Sequence, residues 1–156
     1  MDRRQALAGI DAAFGNIPRP APLLMNPDHC SECAEHEETL QAVTRDTISM
    51  KEVGSPAWDP LCHVTAETFQ YFMPGLARLA LGAGEDYYLD SFLFHLEYRQ
   101  VDAFSPPQCK AVLDLLWHAY EALGREIDST PWGDCDLSRV IDKLEQRLKD
   151  AGAAHE

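Results

Sequence analysis

Apolar residues in this 156-residue chain recur every three or four positions, segment after segment, and nowhere alternate cleanly with polar ones. That period lines one face of a helix, whereas a half-buried strand needs a period of two. Leu7, Ile10 and Phe14 mark a first helix over residues 3–14, and Cys33, His36, Leu40 and Val43 mark a second from Ser31. Phe69, Phe72, Met73, Leu76 and Leu79 form the stripe of a third, with Thr65 suited to its N-cap. Leu89, Phe92, Leu93 and Leu96 predict a helix of about four turns. Ser105-Pro106-Pro107-Gln108 combines a capping serine, prolines suited to a first turn and a glutamine that completes a capping box. It opens a helix with Val112, Leu115, Leu116, Ala119 and Leu123 facing inward. A last helix begins near Asp134 or Asp136 and carries Leu137, Val140, Ile141, Leu144 and Leu148 on one side. Leu61-Cys62-His63-Val64 is a weak strand-like stretch. The predicted fold class is all-α: a single domain over residues 1–156, a bundle of about six helices joined by Pro-rich irregular loops.

Proline and glycine set the breaks. Pro18, Pro20, Pro22 and Pro27 each remove a backbone donor, so residues 15–29 read as a loop. Gly54, Pro56 and Pro60 make residues 46–62 irregular around Trp58, read as an apolar anchor. Pro74 is expected to kink or end its helix, and Gly82 and Gly84 to bracket a turn.

A chain of this length buries roughly 68–70% of its unfolded surface, enough for a core without disulfides. Thirteen Lys and Arg stand against 26 Asp and Glu, a formal charge of −13 that opposes binding to nucleic acid or anionic membrane. With 46% apolar residues the chain is not a disordered acidic tail, and no stretch approaches a membrane span. The N-terminal residues have neither a continuous apolar core nor a small-residue cleavage site, so a cytoplasmic location is expected. The acidity is concentrated: residues 20–44 hold Asp28, Glu32, Glu35, Glu37 and Glu38 and no Lys or Arg.

Inside that stretch, His29-Cys30-Ser31-Glu32-Cys33-Ala34-Glu35-His36 packs four metal-ligand side chains into eight residues with the spacing C-x-x-C-x-x-H. Zinc takes thiolate and imidazole in tetrahedral geometry, and two cysteines three apart converge on one ion. Cys33 and His36 share a helix face with Cys30 just before the first turn, which makes Cys30, Cys33 and His36 the candidate ligands. His29, Cys62 or His63 is the candidate fourth, and in the last two cases the ion would pin two Pro-rich stretches together. The bland reading makes Cys33 and His36 core side chains. A redox pair is weakly supported, because a thioredoxin-like site needs a strand before it and Pro20–Pro27 is a poor one. No H-E-x-x-H motif points to hydrolytic zinc, and Cys62 beside His63 fails as nucleophile and base because neighbouring side chains diverge. Cys109 and Cys135 read as buried small residues, and His95 and His118 as boundary histidines. The tyrosines read as rings packed inward with wet hydroxyls.

The strings His29-Cys30-x-Glu32-Cys33-x-Glu35-His36-x-Glu38, Pro56-x-Trp58-Asp59-Pro60-x-Cys62-x-Val64-Thr65 and Phe69-x-Tyr71-x-Met73-Pro74 resemble an uncharacterised family of small bacterial proteins known as a domain of unknown function. The resemblance spans roughly residues 28–81 and implies no activity, only that the two cysteine-bearing segments belong to one unit. Two functional expectations follow from the residues. One is a non-enzymatic acidic protein of immunity or antitoxin type that covers a basic protein partner, with zinc as a structural cofactor. The other is a metal- or thiol-dependent enzyme using Cys30, Cys33 and His36. A homodimer with no small-molecule site is the third, plainer reading.

Overall fold

A computed structural model describes residues 1–82, 88–127 and 133–154, apart from the side chains of residues 99, 100, 123–127 and 133–136. Expectations for Gly84, Tyr87 and Trp132, and for the side chains of Leu123 and Cys135, lie outside the described residues. Seven α-helices appear among them: α1 (Arg3–Phe14), α2 (Ser31–Gln41), α3 (Met50–Val53), α4 (Ala66–Ala80), α5 (Leu89–His95), α6 (Pro106–Ile127) and α7 (Gly133–Ala153). No sheet forms among the described residues; Leu61-Cys62-His63-Val64 is a 3-10 turn over Pro60–Cys62 followed by one isolated bridge, Leu24 to Val64. The chain is an all-α bundle in which α1 packs on α4 and α6, α6 on α7, and α5 on α4 and α7.

Local chemistry explains the helix starts. Thr65 Oγ1 accepts from Thr68 N–H at 3.1 Å, and Ser105 and Gln108 exchange backbone-to-side-chain bonds at 2.9 and 3.4 Å, the expected capping box. Two helix ends are closed from a distance. Arg19 donates to the carbonyls of Leu40, Gln41 and Val43 around the end of α2, and Arg45 donates to those of Phe14, Gly15 and Ile17 around the end of α1. Both guanidinium groups lie over the Tyr71 ring, Arg45 at 4.3 Å from its centroid. Neither α1 nor α2 has a basic residue in its last turn, so these arginines supply the terminal donors from loops.

Pro74 neither ends nor breaks its helix: α4 runs through it to Ala80. An interior proline costs about 3 kcal/mol, but α4 buries Phe69, Phe72, Met73, Leu76 and Ala77 completely, and each large apolar side chain contributes about 1.5–3 kcal/mol. Gly75 shows why the following position is glycine. A Cβ there would collide with Ile48 Cγ2 and sit 2.5 Å from the Arg45 carbonyl oxygen, which Arg78 already holds at 2.7 Å. Gly75→Ala is therefore expected to destabilise by about 1–3 kcal/mol through overpacking; an unchanged urea midpoint would show that this crossing is looser than described.

Hydrogen bonds join the Pro-rich stretches. Leu23 and Leu24 donate their N–H groups to the Glu37 carboxylate at 2.8–3.2 Å, tying the first stretch to α2. Met25 N–H bonds the His63 carbonyl at 2.9 Å, Thr65 N–H bonds the Leu23 carbonyl at 3.3 Å, and the buried Thr68 hydroxyl donates to the same Leu23 oxygen at 2.7 Å. Burial alone would raise the Glu37 pKa, but bonds from Leu23, Gln41 and Leu24 and the nearby Arg19 charge bring it below the usual carboxyl value. The result is a rigid platform at the start of α2, with the segment Pro56–Thr65 laid across it.

Candidate metal centre

The six predicted ligands do not gather at one point; they divide among three adjacent groups. His29, Cys30 and Cys33 form the first, Glu32, His36 and His63 the second, and Asp59, Cys62 and His95 the third, with ligand atoms in each group within 4.8 Å of one another. Each group offers donors that can hold a metal ion.

The first group arises from a helix start. Cys30 is the N-cap of α2, in extended conformation, with its sulfur accepting from Cys33 N–H at 3.4 Å. The two sulfurs lie 3.4 Å apart, and His29 Nδ1 is 4.0 Å from Cys33 Sγ. Zinc–sulfur bonds of about 2.3 Å place two tetrahedral thiolates about 3.8 Å apart, so a few tenths of an ångström separate this pair from a metal geometry. The Cys33 N–H, followed by the His29 and Cys33 side chains, lowers the Cys30 thiol to about 7, while the bond to Cys30 and then burial raise Cys33. Cys30 is exposed and Cys33 buried.

His36, expected as the third ligand beside Cys33, groups elsewhere. It lies on the predicted face of α2, 1% exposed, but its ring meets His63 at 5.2 Å between centroids and Trp58 at 4.8 Å. The i, i+3 spacing fixes only the side of the helix; the ring plane follows the aromatic residues that cover it. Its Nε2 is 3.4 Å from Glu32 Oε1, yet neither ring nitrogen has a hydrogen-bond partner, because the alignment is poor. Glu32 Oε1 also lies 3.8 Å from His63 Nε2, placing one carboxylate between two imidazoles.

Of the three alternatives for a fourth ligand, His29 and His63 lie toward the thiols and Cys62 does not. His63 lines a small cavity of about 160 Å³ with Met25, Asn26, His29 and Cys33. Cys62 belongs to the third group, because the 3-10 turn at Pro60–Cys62 sends adjacent side chains to different sides. Trp58, expected as a buried anchor, keeps 45% exposure and caps His36 from outside.

Sequence reasoning missed Asp59, His95 and Tyr88. His95 is fully buried rather than at a boundary: its Nε2 is 2.7 Å from Asp59 Oδ2, while Asp59 Oδ1 accepts from Leu61 N–H at 2.9 Å. His95 follows the buried Phe92 by three residues in α5, and Asp59 gives its ring a buried acceptor. Tyr88 is buried with its hydroxyl unpartnered, against the expected wet tip; burial, then charge at Asp59 and Cys62, pushes its pKa well up. Asp59 ahead of Pro60 was a readable cap signal, but nothing local names a partner 36 residues away. Cys109 is buried as expected, its thiol 3.9 Å from the Phe104 carbonyl, and His118 is a half-buried residue on the Met1 carbonyl.

No helix among the described residues is long and apolar enough to cross a membrane. Comparison with family models, with curated proteins and with solved structures gives no match.

Proposed function

We propose that this chain is a small acidic binding protein stabilised by a structural zinc ion, with Cys30, Cys33 and His29 as ligands and His63 completing the set. The observation that carries the reading is the approach of two sulfurs to 3.4 Å with an imidazole nitrogen 4.0 Å away, at a helix N-terminus that favours thiolate. Sulfur and imidazole donors select zinc over calcium or magnesium, which need oxygen cages. Glu32, beside His63 Nε2, stands where an outer carboxylate orients a metal-bound histidine. When bound, the ion would join the α2 start to the segment carrying His63, adding a cross-link to the backbone pairing already described.

The binding role rests on the charge of −13 and its concentration ahead of and within α2. An immunity- or antitoxin-like protein that covers a basic surface fits that field, a cytoplasmic site of action fits the reading, and the family resemblance rests on the motif strings alone. A second reading is favoured by one specific observation: the buried, unbonded His36 nitrogens beside Glu32. It places the ion on Glu32, His36 and His63, a two-histidine, one-carboxylate set that leaves coordination positions open for catalysis.

Cobalt separates the two. Native protein loaded with Co²⁺ should show an intense thiolate-to-metal absorption that Cys33→Ser greatly reduces and His36→Gln leaves in place. A cobalt spectrum without that absorption, lost instead in His36→Gln, would transfer the site to Glu32, His36 and His63. Protein that binds no metal would overturn both.

A further inference from the structure

A third set of donors lies on the other side of the segment Pro56–Thr65. Asp59 and His95 are both buried and bonded at 2.7 Å. An ion held by both residues would take the place of the proton between Nε2 and the carboxylate, so the pair already converges on one point. The Tyr88 hydroxyl, buried and unpartnered, is close enough to sense charge at both Asp59 and Cys62. A buried hydroxyl left unmatched beside a carboxylate–imidazole–thiol trio is uncommon and asks for a partner. The trio's donor atoms lie within 4.8 Å of one another. A groove of about 410 Å³, lined by Pro56, Asp59, Cys62, Asp90, Ser91 and Phe94, opens onto the carboxylate and the thiol. The bond to Asp59 holds the imidazole inward.

We infer that Asp59, Cys62 and His95 form a second cation site, distinct from the thiol centre at Cys30 and Cys33, which takes a zinc-class transition metal and leaves a coordination position open to the groove. One oxygen, one sulfur and one nitrogen donor match the borderline character of zinc and cobalt, and exclude the hard cations that require oxygen throughout. Three protein ligands with an open position are the pattern of zinc sites that bind an exchangeable ligand, whereas structural sites are closed by four. The open position takes water or a small neutral donor that the groove admits.

The test is a Co²⁺ titration of the full chain carrying Cys30→Ser and Cys33→Ser, which removes the thiol centre. One equivalent of Co²⁺ with thiolate-to-metal absorption is expected to remain, and adding Cys62→Ser should abolish the absorption. In the otherwise native chain, Cys62→Ser alone should reduce the bound metal from two equivalents to one, a readout that does not depend on how the double variant folds. Loss of all thiolate absorption in the double variant, or absorption that survives Cys62→Ser, would overturn the inference. Failure of the thiol centre gives a different result: the Cys30→Ser, Cys33→Ser protein would then match the native chain.

Discussion

Stripping metal from the Cys30–Cys33 centre is expected to lower the melting temperature by about 5–10 °C. A ligand present at a hundred times its Kd stabilises the folded state by about 2.7 kcal/mol, and each kcal/mol moves Tm by about 2–4 °C in a chain of this size. The unfolded chain holds no preformed site, so binding energy at this centre is folding energy. In a Cys62→Ser background, which removes the second cation site, Cys33→Ser should reproduce the loss, and chelator should then do nothing further to the variant. That non-additivity separates a metal effect from simple damage to α2, where Cys33 is buried and its N–H is already bonded to Cys30. Thermal unfolding followed by circular dichroism, with and without chelator, reads all four states. Equal melting temperatures for native protein with and without chelator would remove the structural role, however much metal the protein carried.

What was legible in the sequence follows the range of the interactions responsible. The faces of α1, α4, α6 and α7 are periodic over two or more turns, and burial of Ile10, Phe72, Leu115 and Leu144 follows from that period. The approach of Cys30 and Cys33 was equally local, because an N-cap three residues ahead of a buried helical cysteine brings the sulfurs together. Val43 shows where the period stops being informative: it continues the stripe but lies past the end of α2, because Arg19 takes the Leu40, Gln41 and Val43 carbonyls. The division of the histidines and cysteines into three groups was hidden because it depends on docking of residues 56–64. A 3-10 turn there sends Cys62 and His63 to different neighbours, a one-residue choice that no pattern of hydrophobicity encodes. His95 was hidden for a related reason. It stands one position off the Leu96 stripe, and the acceptor that makes its burial tolerable, Asp59, is 36 residues away.

That buried pair makes Asp59→Ala a strongly destabilising change, at about 3–5 kcal/mol. Both side chains are almost fully enclosed, 1% exposed for His95 and 4% for Asp59, so water cannot replace what is lost. Removing the carboxylate leaves His95 Nε2–H and the Leu61 N–H without acceptors at once. Asp59→Asn should cost less, because its amide oxygen can still cap Leu61 or accept from His95, although not with the strength of a charge-assisted bond. The double change Asp59→Ala with His95→Leu should recover part of the loss, since replacing a buried polar pair by apolar groups of similar shape is far cheaper than stranding one member. Urea unfolding in the presence of chelator measures the pair itself, free of any contribution from bound metal. If Asp59→Ala unfolds within about 1 kcal/mol of the native chain, the cost falls in the range of ordinary surface changes and the pair is not what fixes α5 against the Pro56–Thr65 segment. If the cost is large and the double variant recovers, the buried acid and imidazole are expensive to separate and of little net value to stability. Their retention would then point to the second cation site rather than to the fold as the reason for this arrangement.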